Sequence, residues 1–257
     1  MAWSTSSTST PQEKHEVFLS FRGEDTRYTF TGHLHATLTR LQVNTYIDYN
    51  LQRGDEISSS LLKAIEDAKL SVIVFSKNYA NSKWCLDELV KILECKRMRG
   101  QIVLPIFYDI DPSHVRNQTG SYAEAFVKHG THLDGQMDRV QKWREALREA
   151  ANYSGWDCSV NRMESELIEK IAKDVLEKLN RVYVGDLDQQ IAKLEKLAQL
   201  QYQFFQNITS AENWKNHDAT VQRITELKME RSVRMLRLSP DMLSHLENSN
   251  NDNPFLF

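Results

Sequence analysis

Short, continuously apolar runs alternate along this chain with longer stretches whose apolar residues return every three or four positions. The runs fall at residues 16–21, 44–48, 70–75 and 101–108, with a weaker one near 154–158. Runs of that length, rich in Val, Ile and Phe, predict buried strands. Between them, Leu34, Leu38 and Leu41, and then Leu61, Leu62, Ile65 and Ala68, follow helical spacing. Strands that alternate with helices predict a parallel sheet, because each crossover must return the chain to the same end. Ser58–Ser60 ahead of Leu61, and Pro112-Ser113 after the fourth run, supply helix-start and turn chemistry.

Two further helical patterns, at 136–151 and 164–180, close the unit; in the second, Leu167, Ile171, Val175 and Leu179 form a stripe suited to one sheet face. The expected domain spans residues 14–182, of ordinary size. Beyond Val184-Gly185 a helical extension is expected over 183–246. Leu187, Ile191, Leu194, Ala198 and Phe205 follow a four-three spacing that Gln201 interrupts, and Val221, Ile224, Leu227, Val233 and Leu236 follow in a second helix. An intramolecular hairpin and a short self-associating coiled coil both fit that pattern. The Ser/Thr tract of residues 1–13 and the Asn-rich end, 247–257, are expected to be disordered tails.

Composition narrows the function classes. The 257 residues carry a net charge of −3 and no apolar run of membrane-spanning length. The first residues lack the order of a secretory signal, so a cytoplasmic location, with the nucleus as an alternative, is expected. Cys85, Cys95 and Cys158 match neither a zinc nor a redox spacing and read as free thiols. The charge offers no general attraction for nucleic acid or membrane. Lys91, Lys96, Arg97 and Arg99 fall where a helix end favours cations. His129 and His132 stand three apart with nothing at ligand spacing to complete a metal site, so no metal is expected.

Four polar loops follow the carboxyl ends of the four stronger strands, where open α/β sheets place their ligands. They begin at Phe21-Arg22-Gly23, at Asp48, at Ser76 and at Tyr108. The third leads into SKNYANSKWCLDEL, which brings Trp84, Cys85 and Glu88 to the start of a helix. Asp87 does not pair with Glu88 as glycosidase carboxylates do, because adjacent helix positions point about 100° apart. Trp84 offers either a stacking face or a core aromatic.

EVFLSFRGEDTR, IDYNLQRGDEIS, SVIVFSKNYANSKWCLDEL and VLPIFYDIDPSHVRNQTGSYAEAF, in that order, resemble a Toll/interleukin-receptor (TIR) domain of the plant immune-receptor type. The resemblance covers about residues 14–180. It implies a flavodoxin-like α/β fold: a five-stranded parallel sheet in the order 2-1-3-4-5, helices on both faces, and here a C-terminal α-helical extension. It also implies an NAD-cleaving hydrolase of plant innate immunity and disease-resistance signalling, with Glu88 as the catalytic residue. Phe21, Arg22 and Gly23 would line the nicotinamide end and Trp84 would stack on adenine. Ser76 would contribute at the end of the third strand, where a loop-capping role fits equally. NAD or NADP would be the substrate, with no added cofactor.

By the same resemblance, Asp48, Arg53, Gly54 and Asp55 belong to the mobile BB loop, though an exposed charged turn has the same composition. Self-association would use His33 on one surface and Gly120 and Tyr122 on another. The family's usual Ser-His pair is Gly32-His33 here, which departs from the pattern. The chain contains no GxxxxGKT phosphate loop or leucine-rich repeat, so a TIR-only or truncated member is expected.

One carboxylate suffices for this chemistry. Oxidised NAD releases its nicotinamide as a neutral leaving group, and a fixed anion stabilises the oxocarbenium character left on the ribose. Water then gives ADP-ribose, and an internal nucleophile gives a cyclic or rearranged product. The alternative role is a non-catalytic adaptor that signals through TIR–TIR association.

Overall fold

The structure, a computed structural model, describes residues 15–48, 58–132, 137–158, 163–205 and 211–236. Both tails lie outside these residues, and so do Arg53, Gly54 and Asp55 of the expected BB loop. The strands are β1 (Val17–Phe21), β2 (Thr45–Tyr46), β3 (Leu70–Phe75), β4 (Ile102–Phe107) and β5 (Trp156–Asp157). All pair in parallel, in the order β2-β1-β3-β4-β5. Every residue of β1 and β3, and all but the first of β4, is buried. Continuous rather than alternating burial means that both faces of the sheet are covered, as right-handed crossovers require.

The strand order reverses at β1, whose two neighbours are β2 and β3. Their crossovers leave in opposite directions and open a crevice beyond the strand ends. Phe21 and Ser76 stand at that crevice because β1 and β3 pair in register from Val17↔Leu70 to Phe21↔Val74.

Helix boundaries follow local chemistry. After β1 come a single turn, α1 (Gly23–Thr26), and α2 (Phe30–Arg40), which buries Phe30, Leu34 and Leu38. In α3 (Ser59–Asp67), Ser58 caps the first turn by accepting from the Leu61 amide. A 3-10 turn, Tyr79–Asn81, then hands the chain to α4 (Lys83–Arg99), capped by Ser82 and ending at Gly100. Lys96, Arg97 and Arg99 occupy the last turn of α4, where the helix dipole favours them. Asp111 caps α5 (Pro112–Asn117), accepting from the Ser113 amide at 2.7 Å. α6 (Ser121–His132) and α7 (Met137–Ala150) follow.

The chain divides into two compact units at Val175–Leu176. The two helical patterns expected on either side of Val184-Gly185 are one continuous helix, α8 (Glu164–Phe205). An isolated glycine costs a helix only about 1 kcal/mol relative to alanine, and no proline follows it there. In the second unit α8 packs antiparallel on α9 (Ala211–Leu236): Asp188 pairs with Arg231 and Glu195 with Lys228 at 2.7 Å. Leu187, Ile191 and Ala198 bury against Ile224 and Leu227. Within this chain the extension is therefore a hairpin.

Asp87, next to Glu88, ties α4 to α7. It accepts from Trp143 Nε1 at 2.7 Å and from Arg139 Nε at 3.2 Å, and Trp143 is fully buried. Replacing Asp87 with alanine strands the indole N–H and frees Arg139. We expect Asp87→Ala to lower unfolding free energy by about 1–3 kcal/mol in urea denaturation.

Candidate active site at the ends of β1 and β3

Ser20 is the one polar side chain of β1, and it points directly at Glu88. Its Oγ lies 2.8 Å from Glu88 Oε2 and 3.0 Å from Tyr79 Oη. Tyr79 donates to the Cys85 carbonyl at 2.9 Å. Cys85 in turn lies beside β1, its Sγ 3.4 Å from the Phe21 carbonyl. Strand end, 3-10 turn and first turns of α4 thus meet on one carboxyl group.

Glu88 retains 9% of its accessible surface. Burial, reinforced by the negative charges of Asp48 and Asp87 and opposed by the Ser20 hydrogen bond, pushes its pKa up to about 8. An ionised carboxylate was expected here. At neutral pH, in the arrangement seen, the neutral acid predominates. The reason is desolvation: an anion at this depth lacks the water that would stabilise it. Cys85 is pushed up further by burial and by Glu88, and is an inert packing thiol.

The other expected site residues gather around the same crevice. Phe21 is buried, and the Arg27 guanidinium stands over its ring, 5.1 Å from the centroid. Gly23 makes that position possible, because a Cβ there would lie 2.7 Å from Arg27 Nη2. Arg27 also donates to the Asp48 carbonyl at 2.5 Å, which anchors the residue where the expected BB loop begins. Arg22 is engaged by Glu24 and, at 2.5 Å, by Asp25. Trp84 is half-buried in the first turn of α4 and is not a core residue.

Asp25 was not singled out by sequence, yet it joins two loops. Its carboxylate accepts from Ser76 Oγ at 2.5 Å and from the Asn78 amide at 3.3 Å. Ser76 is buried and therefore serves as a brace between the loops after β1 and β3. Ser20, Tyr79 and Arg27 were missed too. A serine inside the run VFLSF was the available signal for Ser20, because a lone hydroxyl in a buried strand requires a partner. Nothing in the local sequence reports the partner of Tyr79 or Arg27.

The expected self-association residues separate. His33 is exposed on α2, with Nδ1 3.3 Å from Glu164 Oε1. Gly32 beside it fits closely: a Cβ would lie 2.6 Å from the Arg27 carbonyl. Gly120 is exposed. Tyr122 is fully buried and donates to the Ser76 carbonyl at 3.0 Å. Its side chain cannot present itself to a partner, which corrects the expectation: an aromatic ring on the inner face of α6 is core. His129 is core as well, its Nε2 2.8 Å from the Ala80 carbonyl.

Comparison with known proteins decides the family. The TIR domain family model matches residues 14–193. This chain belongs to the TIR domain family. It is 51% identical over 187 residues to disease resistance protein RPV1 of Vitis rotundifolia, covering 70% of this chain and 13% of that one. It is 44% identical over 202 residues to TMV resistance protein N of Nicotiana glutinosa, covering 76% and 18%. The TIR domain thus matches the type found in plant immune receptors, and the chain spans less than a fifth of the length of these curated relatives. Among solved structures, the TIR domains of the activated Roq1 resistosome, which recognises the pathogen effector XopQ, align at a TM-score of 0.59 and 52% identity. That match covers 62% of this chain and 98% of the other. Among the described residues, no helix is long and apolar enough to cross a membrane.

Burial of Glu88 makes stability depend on pH. Folded Glu88 holds its proton to about pH 8, against an ordinary value of 4.5. Between those values the folded state binds the extra proton, so stability falls as pH rises through the window. Glu88→Gln keeps the shape and removes the titration. Its melting temperature should change less than the wild type's from about pH 5 to pH 9 and exceed it at the alkaline end.

Proposed function

We propose that this TIR domain cleaves the nicotinamide–ribose bond of NAD or NADP and acts in plant immune signalling when several copies assemble. The observation that carries this reading is a carboxyl group, Glu88, aimed at Ser20 where β1 and β3 end, with Asp87 beside it fully committed to α7. A single reacting carboxyl suits a substrate whose leaving group needs no acid. Phe21 and Gly23 supply an apolar wall and close backbone approach, and Trp84 supplies a flat face for adenine.

In this reading the positive pyridinium is itself part of the activation. A cation beside Glu88 favours the ionised form and opposes the desolvation that keeps it neutral. The anion then faces the ribose as positive charge develops at its reacting carbon, and water or an internal nucleophile completes the reaction. Arg22 reaches a phosphate by exchanging Glu24 or Asp25 for it. Assembly is supported by the 52% identity to TIR domains that occur in an activated resistosome. His33 and Gly120 remain the exposed candidates for the contacts.

One observation favours a second reading. With 9% of its surface accessible, Glu88 is covered in the arrangement seen, as it would be in an adaptor that signals by TIR–TIR association alone. Nicotinamide release, followed against protein concentration, separates the two. We expect release to rise more steeply than first order in protein and to vanish in Glu88→Ala, with an unchanged circular dichroism spectrum. Trp84→Ala should raise KM several-fold. A folded wild type that assembles and releases no nicotinamide establishes the adaptor.

A further inference from the structure

Three hydrogen-bond contacts link Glu88 to Ser20, Ser20 to Tyr79, and Tyr79 to the Cys85 carbonyl, at 2.8, 3.0 and 2.9 Å. Each needs one proton. The two hydroxyls supply two, and the carbonyl supplies none. If Glu88 is ionised, Ser20 gives its proton to the carboxylate, and the Tyr79 proton must choose between Ser20 and Cys85. One buried contact is then empty. If Glu88 is protonated, it donates to Ser20, Ser20 donates to Tyr79, and Tyr79 donates to Cys85; all three contacts are filled and every proton points the same way along the chain.

We propose that Tyr79 is a positioning residue that, relayed through Ser20, favours Glu88 as a neutral acid in the arrangement seen, through a hydrogen-bond chain that only a protonated carboxyl group completes. Ser20 is wholly buried and so is Tyr79, so bulk water does not enter the chain from their side. The titratable groups close enough to act on Glu88 electrostatically agree. From β2 and the residues after it come Tyr46 and Asp48, from the 3-10 turn Tyr79, and from α4 Cys85 and Asp87. Those that carry charge, Asp48 and Asp87, are both negative. Ionisation therefore sends the proton to solvent, turns the Ser20 proton onto the carboxylate and leaves the Ser20–Tyr79 contact without one.

The consequence is a two-position carboxyl. In the arrangement seen it is an acid tied inward to the core; beside a cation it is an anion whose bond to Ser20 fixes its direction. This builds on the reading of Glu88 as the reacting group, and its test does not require turnover.

The experiment is an infrared titration of the folded protein, with the Glu88→Gln spectrum subtracted so that only this carboxyl contributes. The wild type should show a protonated carboxyl band at pH 7 that disappears with a midpoint near 8. Tyr79→Phe removes the competing acceptor of the Ser20 proton and should lower the midpoint by about one pH unit. Ser20→Ala removes the donor to the anion, a charge-assisted bond, and should raise it by a similar amount. Opposite shifts support the chain; no shift, or shifts in the same direction, overturn it. Should either variant not fold, the wild type still decides, because a missing acid band at pH 7 overturns the proposal. Failure of the enzymatic reading looks different: no nicotinamide is released, while the titration shifts stand.

Discussion

A carboxyl group set where two parallel strands end, with almost no water around it, is the constraint on which the rest of this structure depends. Glu88 is placed there by the capped start of α4, which Ser82 fixes through the Cys85 amide at 3.3 Å. Burial makes the anion unfavourable, and Asp48 and Asp87 add to the penalty. Under the proposed function, a cationic group entering the crevice would shift the balance toward the anion that an electron-poor ribose requires.

Polar side chains join the loops around the crevice to one another. Asp25 joins the loop after β1 to the one after β3 through Ser76 and Asn78. Arg27 reaches from Phe21 to the Asp48 carbonyl and so ties the nicotinamide end of the proposed site to the first residue of the expected BB loop. Bonds of this kind exchange readily for equivalent bonds to a phosphate or a partner.

The fold was legible in sequence because its signal is redundant. Five apolar runs, the periodic stretches between them and the Ser58 and Pro112 start signals all point to one alternating α/β chain. The break expected near Gly185 was absent, since a lone glycine weakens a helix without ending it. Of the site, the loops and Glu88 were accessible as motif positions. Their electrostatics were not, because a carboxyl group's ionisation is set by depth and by neighbours distant in sequence, here Ser20 and Asp48. Tyr122 illustrates the same limit: its motif position is right for a surface helix, but which face of α6 turns inward is decided by packing against the end of β3.

The most direct measurement is the midpoint of the Glu88 carboxyl titration, by carbon-13 NMR of the folded protein, with and without a saturating carbocyclic NAD analogue that binds but cannot be cleaved. The account predicts a midpoint near 8 without the analogue and a fall of about one unit or more with the cationic ring bound. A midpoint that starts in the ordinary carboxylate range, or that stays unchanged when the analogue occupies the crevice, would contradict it.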